Sequence, residues 1–375
     1  MDALMLPSNW QRVRLGDVGK PCMCKRVMKH QTTRYGEIPF YKIGTFGNTA
    51  DAFISKKLFL EYKTKYSFPK KGDILISASG TIGRAVIYDG KPAYFQDSNI
   101  VWIDNDETLV KNDFLFYAYS NVKWDTEHTT ILRLYNDNFR NTLIPLPPLN
   151  EQIAIANILS DVDHYLYSLD ALILKKESVK KALSFELLSQ RKRLKGFNQN
   201  WQRVRLGDIC EITTGSLDAN EMVHYGKYRF YTCAKEYYFI DKYAFDTEAI
   251  LISGNGAYVG YVHYYKGKFN AYQRTYVLDN FSEHIIFVKY FLTMFLQSHI
   301  QTNKNEGNTP YIVMATLKDF EIFLPPLNEQ IAIANILSAL DSEIISLKNK
   351  KRQFENIKKA LNHDLMSAKI RVLNK

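Results

Sequence analysis

The fifteen residues LPPLNEQIAIANILS occur at 146–160 and again, without a difference, at 324–338. A duplicated string of this length constrains the fold more than any local pattern, because it implies a duplicated framework. A second string repeats with it. WQRVRLGD stands at Trp10–Asp17 and at Trp201–Asp208. The order along the chain is WQRVRLGD, a long variable block, LPPLNEQ, a lysine-rich segment, and the same order again. The variable blocks, roughly 18–145 and 209–323, are weakly alike. GDILISASGTIGRAVIYDGKPAYFQ at 72–96 parallels AILISGNGAYVGYVHYYKGKFNAYQR at 249–274. Each reads as a strand, a glycine turn, a strand, a Gly-Lys turn and a third strand. IPFYKIG at 38–44 likewise parallels YRFYTCA at 228–234. The chain reads as two copies of one domain with a constant frame and diverged surfaces.

The string after each Pro-Pro predicts a helix. Asn150 and Asn328 are candidate N-caps, and Glu151 and Glu329 fall in the first turn, where the macrodipole favours an anion. Ile155, Leu159, Val162, Leu166 and Leu169 follow a heptad spacing that continues to Ile173. Ile333, Leu337, Leu340, Ile344 and Leu347 do the same in the second copy, with Lys176 and Lys351 as polar interruptions. Each helix could run about 40 residues, or ~60 Å. The alternative is two amphipathic helices that each pack only on their own domain. The sustained period favours mutual pairing, and burying both seams requires the second helix to run back along the first. The expected fold is therefore α+β. Two similar globular domains, 1–145 and 196–323, are joined by long helices at 146–195 and 324–375. The helices form an antiparallel coiled coil with pseudo-two-fold symmetry.

Composition narrows the function. A length of 375 residues suits two domains. A formal charge of +10 points to a polyanionic partner. The N-terminus does not read as a signal peptide, and HIIFVKYFLTMFL at 284–296 is too short to cross a membrane and contains Lys289. A cytoplasmic protein without a membrane partner is expected. Cys22, Cys24, Cys210 and Cys233 have no zinc-site spacing, so no metal is expected. There is no phosphate-binding P-loop. NTPY at 308–311 lacks the first proline of an adenine methyltransferase turn. EYK at 61–63 lacks the Pro-Asp partner of a nuclease motif and reads as a surface strand. Catalysis is expected to lie in another chain. Two similar domains on a rigid spacer suit a duplex whose strands are antiparallel. Because the variable blocks differ, the target should be asymmetric, with an unread gap of about 5 to 8 base pairs.

Two variable blocks, each opened by W-x-x-x-x-L-G-D and followed by LPPLNEQIAIA and a long helix, resemble the specificity subunit of Type I restriction–modification systems. The resemblance covers nearly the whole chain. It implies that the two globular domains are target-recognition domains for double-stranded DNA. It also implies that the helices dock two methyltransferase subunits, with restriction subunits joining through the complex. S-adenosylmethionine would bind the methyltransferase partner, and ATP and Mg the restriction partner, leaving no cofactor in this chain. The rival reading is a structural adaptor whose two domains bind protein without reading DNA.

Sequence reading needs base-edge donors and acceptors on projecting loops. In the first domain the candidates are Tyr41, Lys42, Thr45, Ser79, Thr81, Arg84 and Gln96, with Ser79, Thr81 and Arg84 expected to point outward. In the second they are Tyr231, Lys235, Asn255, Tyr258, Gln273, Arg274 and Asn308. Glycine turns and surface lysines also occur without ligands. The lysine-rich helix segments read as a solvated or partner-facing helical face rather than as phosphate contacts.

Overall fold

The computed structural model describes residues 6–128, 132–302 and 310–372. It divides into two compact units, Met1–Asp170 with Lys350–Lys375, and Ala171–Asn349. Each unit holds one globular domain and half of each long helix. In the first unit the opening strand Gln11–Arg14 pairs antiparallel with Leu143–Leu146, so the two repeated strings meet. Gln202–Arg205 and Glu321–Leu324 pair in the same register in the second.

The first domain has a four-stranded antiparallel sheet in the order Gly19–Met23, Ile100–Asn105, Ile74–Ser77, Ala85–Ile87. A smaller sheet joins Phe53–Ile54, Ile38–Tyr41 and Tyr94–Phe95. In the second domain the corresponding strands form a single six-stranded sheet. The Gly-Lys segments explain the difference. At Gly90-Lys91-Pro92 the chain turns, and proline cannot donate to a ladder. At Gly267-Lys268 it does not turn, contrary to the sequence expectation. Val262–Ala271 is one strand, and Gly267 stays in register with Thr247 at a φ of +131°. EYK at 61–63, expected on a strand, lies on the helix Lys56–Lys65, which Ser55 caps and whose Phe59 is buried. Cys24 is buried, and desolvation pushes its thiol up to about 12.

The long helices are Leu149–Leu188 and Leu327–Met366, 40 residues each. Each starts one residue before the expected cap. The carbonyls of Pro148 and Pro326 accept the Gln152 and Gln330 N–H groups at 2.9 and 3.1 Å, which leaves Asn150 and Asn328 inside the first turn. Within each unit the two helix halves run antiparallel. In the first, Asp163 pairs with Lys358 at 2.5 Å and Asp170 with Lys351 at 2.7 Å, and the Tyr165 and Phe354 rings lie 4.6 Å apart. In the second, Lys176 pairs with Glu343 at 2.8 Å, Glu177 with Lys348 at 2.6 Å, and Lys180 with Asp341. Ile155, Leu159, Leu169, Ile333, Leu337 and Ile344 are buried, and Val162, Leu166, Leu340 and Leu347 are half-buried. Ile155 and Leu159 share a core with Leu365 and Met366, as Ile333 and Leu337 do with Leu187 and Leu188. Part of the second long helix is long and apolar enough to cross a membrane. On that helix Ile333, Ala334 and Leu337 belong to the second domain's core.

The first-turn glutamates are not solvated. Glu151 takes a two-pronged contact from Arg371 at 2.7 and 3.0 Å and a third hydrogen bond from the Trp10 indole at 3.0 Å. Glu329 takes the same two-pronged contact from Arg193 at 2.9 and 2.8 Å. Gln152 and Gln330 bind main-chain groups of their own domains: Lys111 N–H and Leu109 O for the first, His284 N–H for the second. The repeated Glu-Gln thus fastens each helix start, the glutamine directly to a globular domain.

Candidate nucleic-acid interface

Four chain segments converge beside the glycine turn of each domain, held by the same main-chain hydrogen bonds. In the first domain Ala78 N–H donates to Asn99 O at 2.7 Å, Leu134 N–H to Ala78 O at 2.9 Å, and Gln96 N–H to Tyr41 O at 2.9 Å. The turn itself closes through Gly83 N–H to Ser77 O and Ser77 N–H to Arg84 O. In the second domain Gly254 N–H donates to Arg274 O at 2.8 Å, Ile312 N–H to Gly254 O at 2.9 Å, and Tyr272 N–H to Tyr231 O at 2.9 Å. Its turn closes through Gly260 N–H to Ser253 O and Ser253 N–H to Tyr261 O. Gly83, at a φ of +83°, could not carry a side chain, because a Cβ would lie 2.1 Å from the Trp124 indole nitrogen. These bonds pair Gln96 with Tyr272, one residue before the Gln273 that the sequences suggest.

The expected contact residues fall into three groups. Thr81, Arg84, Lys235, Tyr258, Gln273 and Arg274 are exposed. Tyr41, Lys42, Thr45, Gln96 and Asn255 are half-buried and partly engaged. The Gln96 side-chain carbonyl accepts from Ile43 N–H at 2.9 Å, Thr45 Oγ1 accepts from Lys42 N–H at 3.1 Å, and Lys42 Nζ pairs with Asp51 at 2.8 Å. Tyr41 stacks on Phe95. Ser79 and Tyr231 are buried. Ser79 was expected to point outward, but its hydroxyl donates to Asn99 Oδ1 at 2.8 Å. Tyr231 sits among Tyr237, His263, Tyr265 and Phe269, and its hydroxyl accepts from Arg229 at 3.3 Å. Asn308 lies outside the described residues.

On the fourth segment only Asn308 was expected from the sequence, and Arg133 and Tyr311 were not. Arg133 donates to Asn99 Oδ1 at 3.2 Å and bridges to Ser79, and Tyr311 bridges to Asn255. Arg133 and Tyr311 stand at equal distances before the two LPPLNEQ strings, which is the one signal that could have found them. In the second domain Lys235 Nζ lies 5.1 Å from the Tyr258 ring centre. A His263 ring nitrogen lies 2.8 Å from Ala234 O, and burial holds this imidazole below its usual pKa. Arg84 turns back to Phe46 O at 3.0 Å. The first cluster therefore offers an exposed hydroxyl and guanidinium, Thr81 and Arg84, and the second an exposed amide, phenol and two cations, Gln273, Tyr258, Lys235 and Arg274, a composition suited to base edges and phosphates. Among the described residues no His, Cys, Asp and Glu group has metal-site geometry.

Comparison with known proteins gives one consistent picture. The family model for the Type I restriction modification DNA specificity domain matches residues 7–176 and 198–356. The type I restriction enzyme MjaVIII specificity subunit of Methanocaldococcus jannaschii is 26% identical over 100% of this chain and 96% of its own length. A putative type I restriction enzyme specificity subunit of Haemophilus influenzae is 64% identical over 148 residues, and the EcoDI specificity subunit of Escherichia coli 39% over 163. These two matches span 38% and 35% of the relatives' lengths. The fold is that of a type I restriction–modification S subunit from M. genitalium, at a TM-score of 0.65 and 18% identity over 96% of this chain and 98% of that one.

Proposed function

This chain belongs to the Type I restriction–modification DNA specificity family, and we propose that it reads an asymmetric, bipartite duplex target, one half-site per globular domain. One observation carries the reading. The same main-chain bonds hold the same four segments in both domains, while the exposed side chains on them differ. A constant base with changed side chains is what two readers of different sequences require. Arg84 and Arg274 suit guanine or phosphate, and Gln273 suits adenine.

The chain is non-catalytic on this reading and acts in the cytoplasm. Methyl transfer, with S-adenosylmethionine, falls to two docked methyltransferase subunits, and ATP- and Mg-dependent cleavage to restriction subunits. The docking face has a specific support. Leu149 and Ile153 are 40% and 46% exposed, and their repeats Leu327 and Ile331 are 52% and 39% exposed. An identical apolar surface shown twice suits two copies of one partner. The test is selection of the full chain, alone and with its methyltransferase, on random duplexes, followed by gel shifts over a range of salt. A two-part consensus is expected. Equal affinity for all duplexes would leave the adaptor role instead.

A further inference from the structure

Beyond the reading loops, each unit contains one polar cluster where three elements meet. In the first, Tyr117 lies on the helix Asn112–Ala118 of the globular domain. Its hydroxyl donates to Asp163 Oδ2 at 2.9 Å on the first long helix, and Asp163 Oδ1 pairs with Lys358 at 2.5 Å on the second. Lys358 Nζ also lies 5.6 Å from the Tyr117 ring centre. In the second unit Tyr290, on the helix Ile285–Thr302, donates to Asp341 Oδ2 at 2.6 Å. Asp341 pairs with Lys180, whose Nζ again lies 5.6 Å from the tyrosine ring centre. The helices exchange roles: the aspartate comes from the first long helix in one unit and from the second in the other.

Asp163 and Asp341 are 178 residues apart, as are Lys180 and Lys358, which is the offset of the repeated string. The tyrosines are 173 residues apart, because the variable blocks differ in length. Blocks that have diverged in length and surface still deliver a tyrosine to the same aspartate and lysine. Burial, then the carboxylate, raises the pKa of both phenols, so each remains a donor.

The packing around the clusters says why a directional contact is needed. A cavity of about 730 Å³ adjoins the first cluster, lined by Gly83 and Ala85 of the glycine-turn hairpin and by Tyr117, Lys358 and Asn362. A second, of about 380 Å³, adjoins Tyr290, Met294, Lys180, Asp341 and Ile344. The apolar core shared by domain and helices reaches each cluster from one side, and the cleft leaves the other side open. On that side a hydrogen bond to a charged group, anchored on both helices, fixes the angle.

We infer that Tyr117 and Tyr290 are positioning residues, which set the angle of each recognition domain on its helix pair and so the spacing at which two half-sites are accepted together. The inference rests on the DNA reading proposed above. The experiment uses the full chain and the consensus selected for it, presented with the native gap and with gaps one and two base pairs longer or shorter. Tyr117→Phe and Tyr290→Phe each remove one hydroxyl and keep the ring. The preference for the native gap over its neighbours should fall about tenfold, in proportion to a lost hydrogen bond to a carboxylate. The preferred bases within each half-site should stay the same. An unchanged gap preference overturns the inference, as does a uniform loss at all gaps, even with a lowered melting temperature. If a phenylalanine variant fails to fold, Asp163→Asn and Asp341→Asn carry the same expectation. A wild-type chain that selects no consensus overturns the DNA reading and this inference together, whereas a wild-type consensus with unaltered variants overturns this one alone.

Discussion

Glu151 and Glu329 carry charge into places that exclude water: they are 2% and 0% exposed. Such a carboxylate is tolerable only while its cation stays in place. Arg193→Ala should destabilise the second unit by about 3 kcal/mol, since it leaves Glu329 buried and unpaired. Adding Glu329→Gln should recover part of that loss, and urea denaturation of the single and double variants measures both. The sequence placed these glutamates in a first turn but could not supply their partners. Arg193 and Arg371 lie 136 and 220 residues away, beyond any local spacing. His263 gives a pH dependence. Its folded pKa is depressed by burial, so the unfolded chain binds the proton more readily. Its contribution is present above the unfolded value, near 6.5, and is lost as pH falls toward the depressed folded value. His263→Asn should flatten the fall in stability of the second unit below about pH 6.5; a slope equal to the wild type's would place the titration elsewhere.

At the scale of elements, what was legible followed a period. The 40-residue helices could be read because apolar side chains recur at heptad spacing and salt pairs fill the flanks. Leu159 and Leu337 are each fully buried at equivalent positions in the repeat. Their replacement by alanine should cost a similar amount, about 2 to 5 kcal/mol each by thermal or chemical unfolding. A large difference would mean that the two helix starts are packed differently despite their identical sequence. Strand boundaries were less legible. Gly90 and Gly267 look alike in sequence, yet one turns and the other continues a ladder, because Pro92 follows only the first. Glycines in the turns of the candidate interface divide in the same way. Gly83→Ala meets the Trp124 indole as well as an unfavourable φ, whereas Gly256→Ala at +79° meets open space. The second change should cost about 1 to 2 kcal/mol and the first clearly more. Melting temperatures of the two variants decide it.

The whole chain separates what is constant from what varies. Constant are the paired strands that open and close each domain, the Glu-Gln latch and the tyrosine cluster. The exposed side chains of the candidate interface vary, and they were the least legible because their neighbours come from four distant segments. The long helices take part in both units, since the boundary falls after Asp170 in the first and after Asn349 in the second. If they act as the ruler between half-sites, shortening both by matched heptads should change the accepted gap. Deleting 167–173 together with 348–354 removes the Asp170–Lys351 pair as a unit and leaves Asp163–Lys358 and Lys176–Glu343 on either side. Seven residues of helix are ~10 Å, or about 3 base pairs where the helix axis lies along the duplex. A heptad drifts by ~20° around a straight helix, so the facing seams stay nearly aligned. The optimum gap should move to shorter spacings by up to about 3 base pairs, with both half-site sequences kept. Gel shifts on duplexes of graded gap length measure it. A deletion variant that binds at the original gap with wild-type affinity would remove the helices from the role of ruler and leave them as a platform for partner subunits.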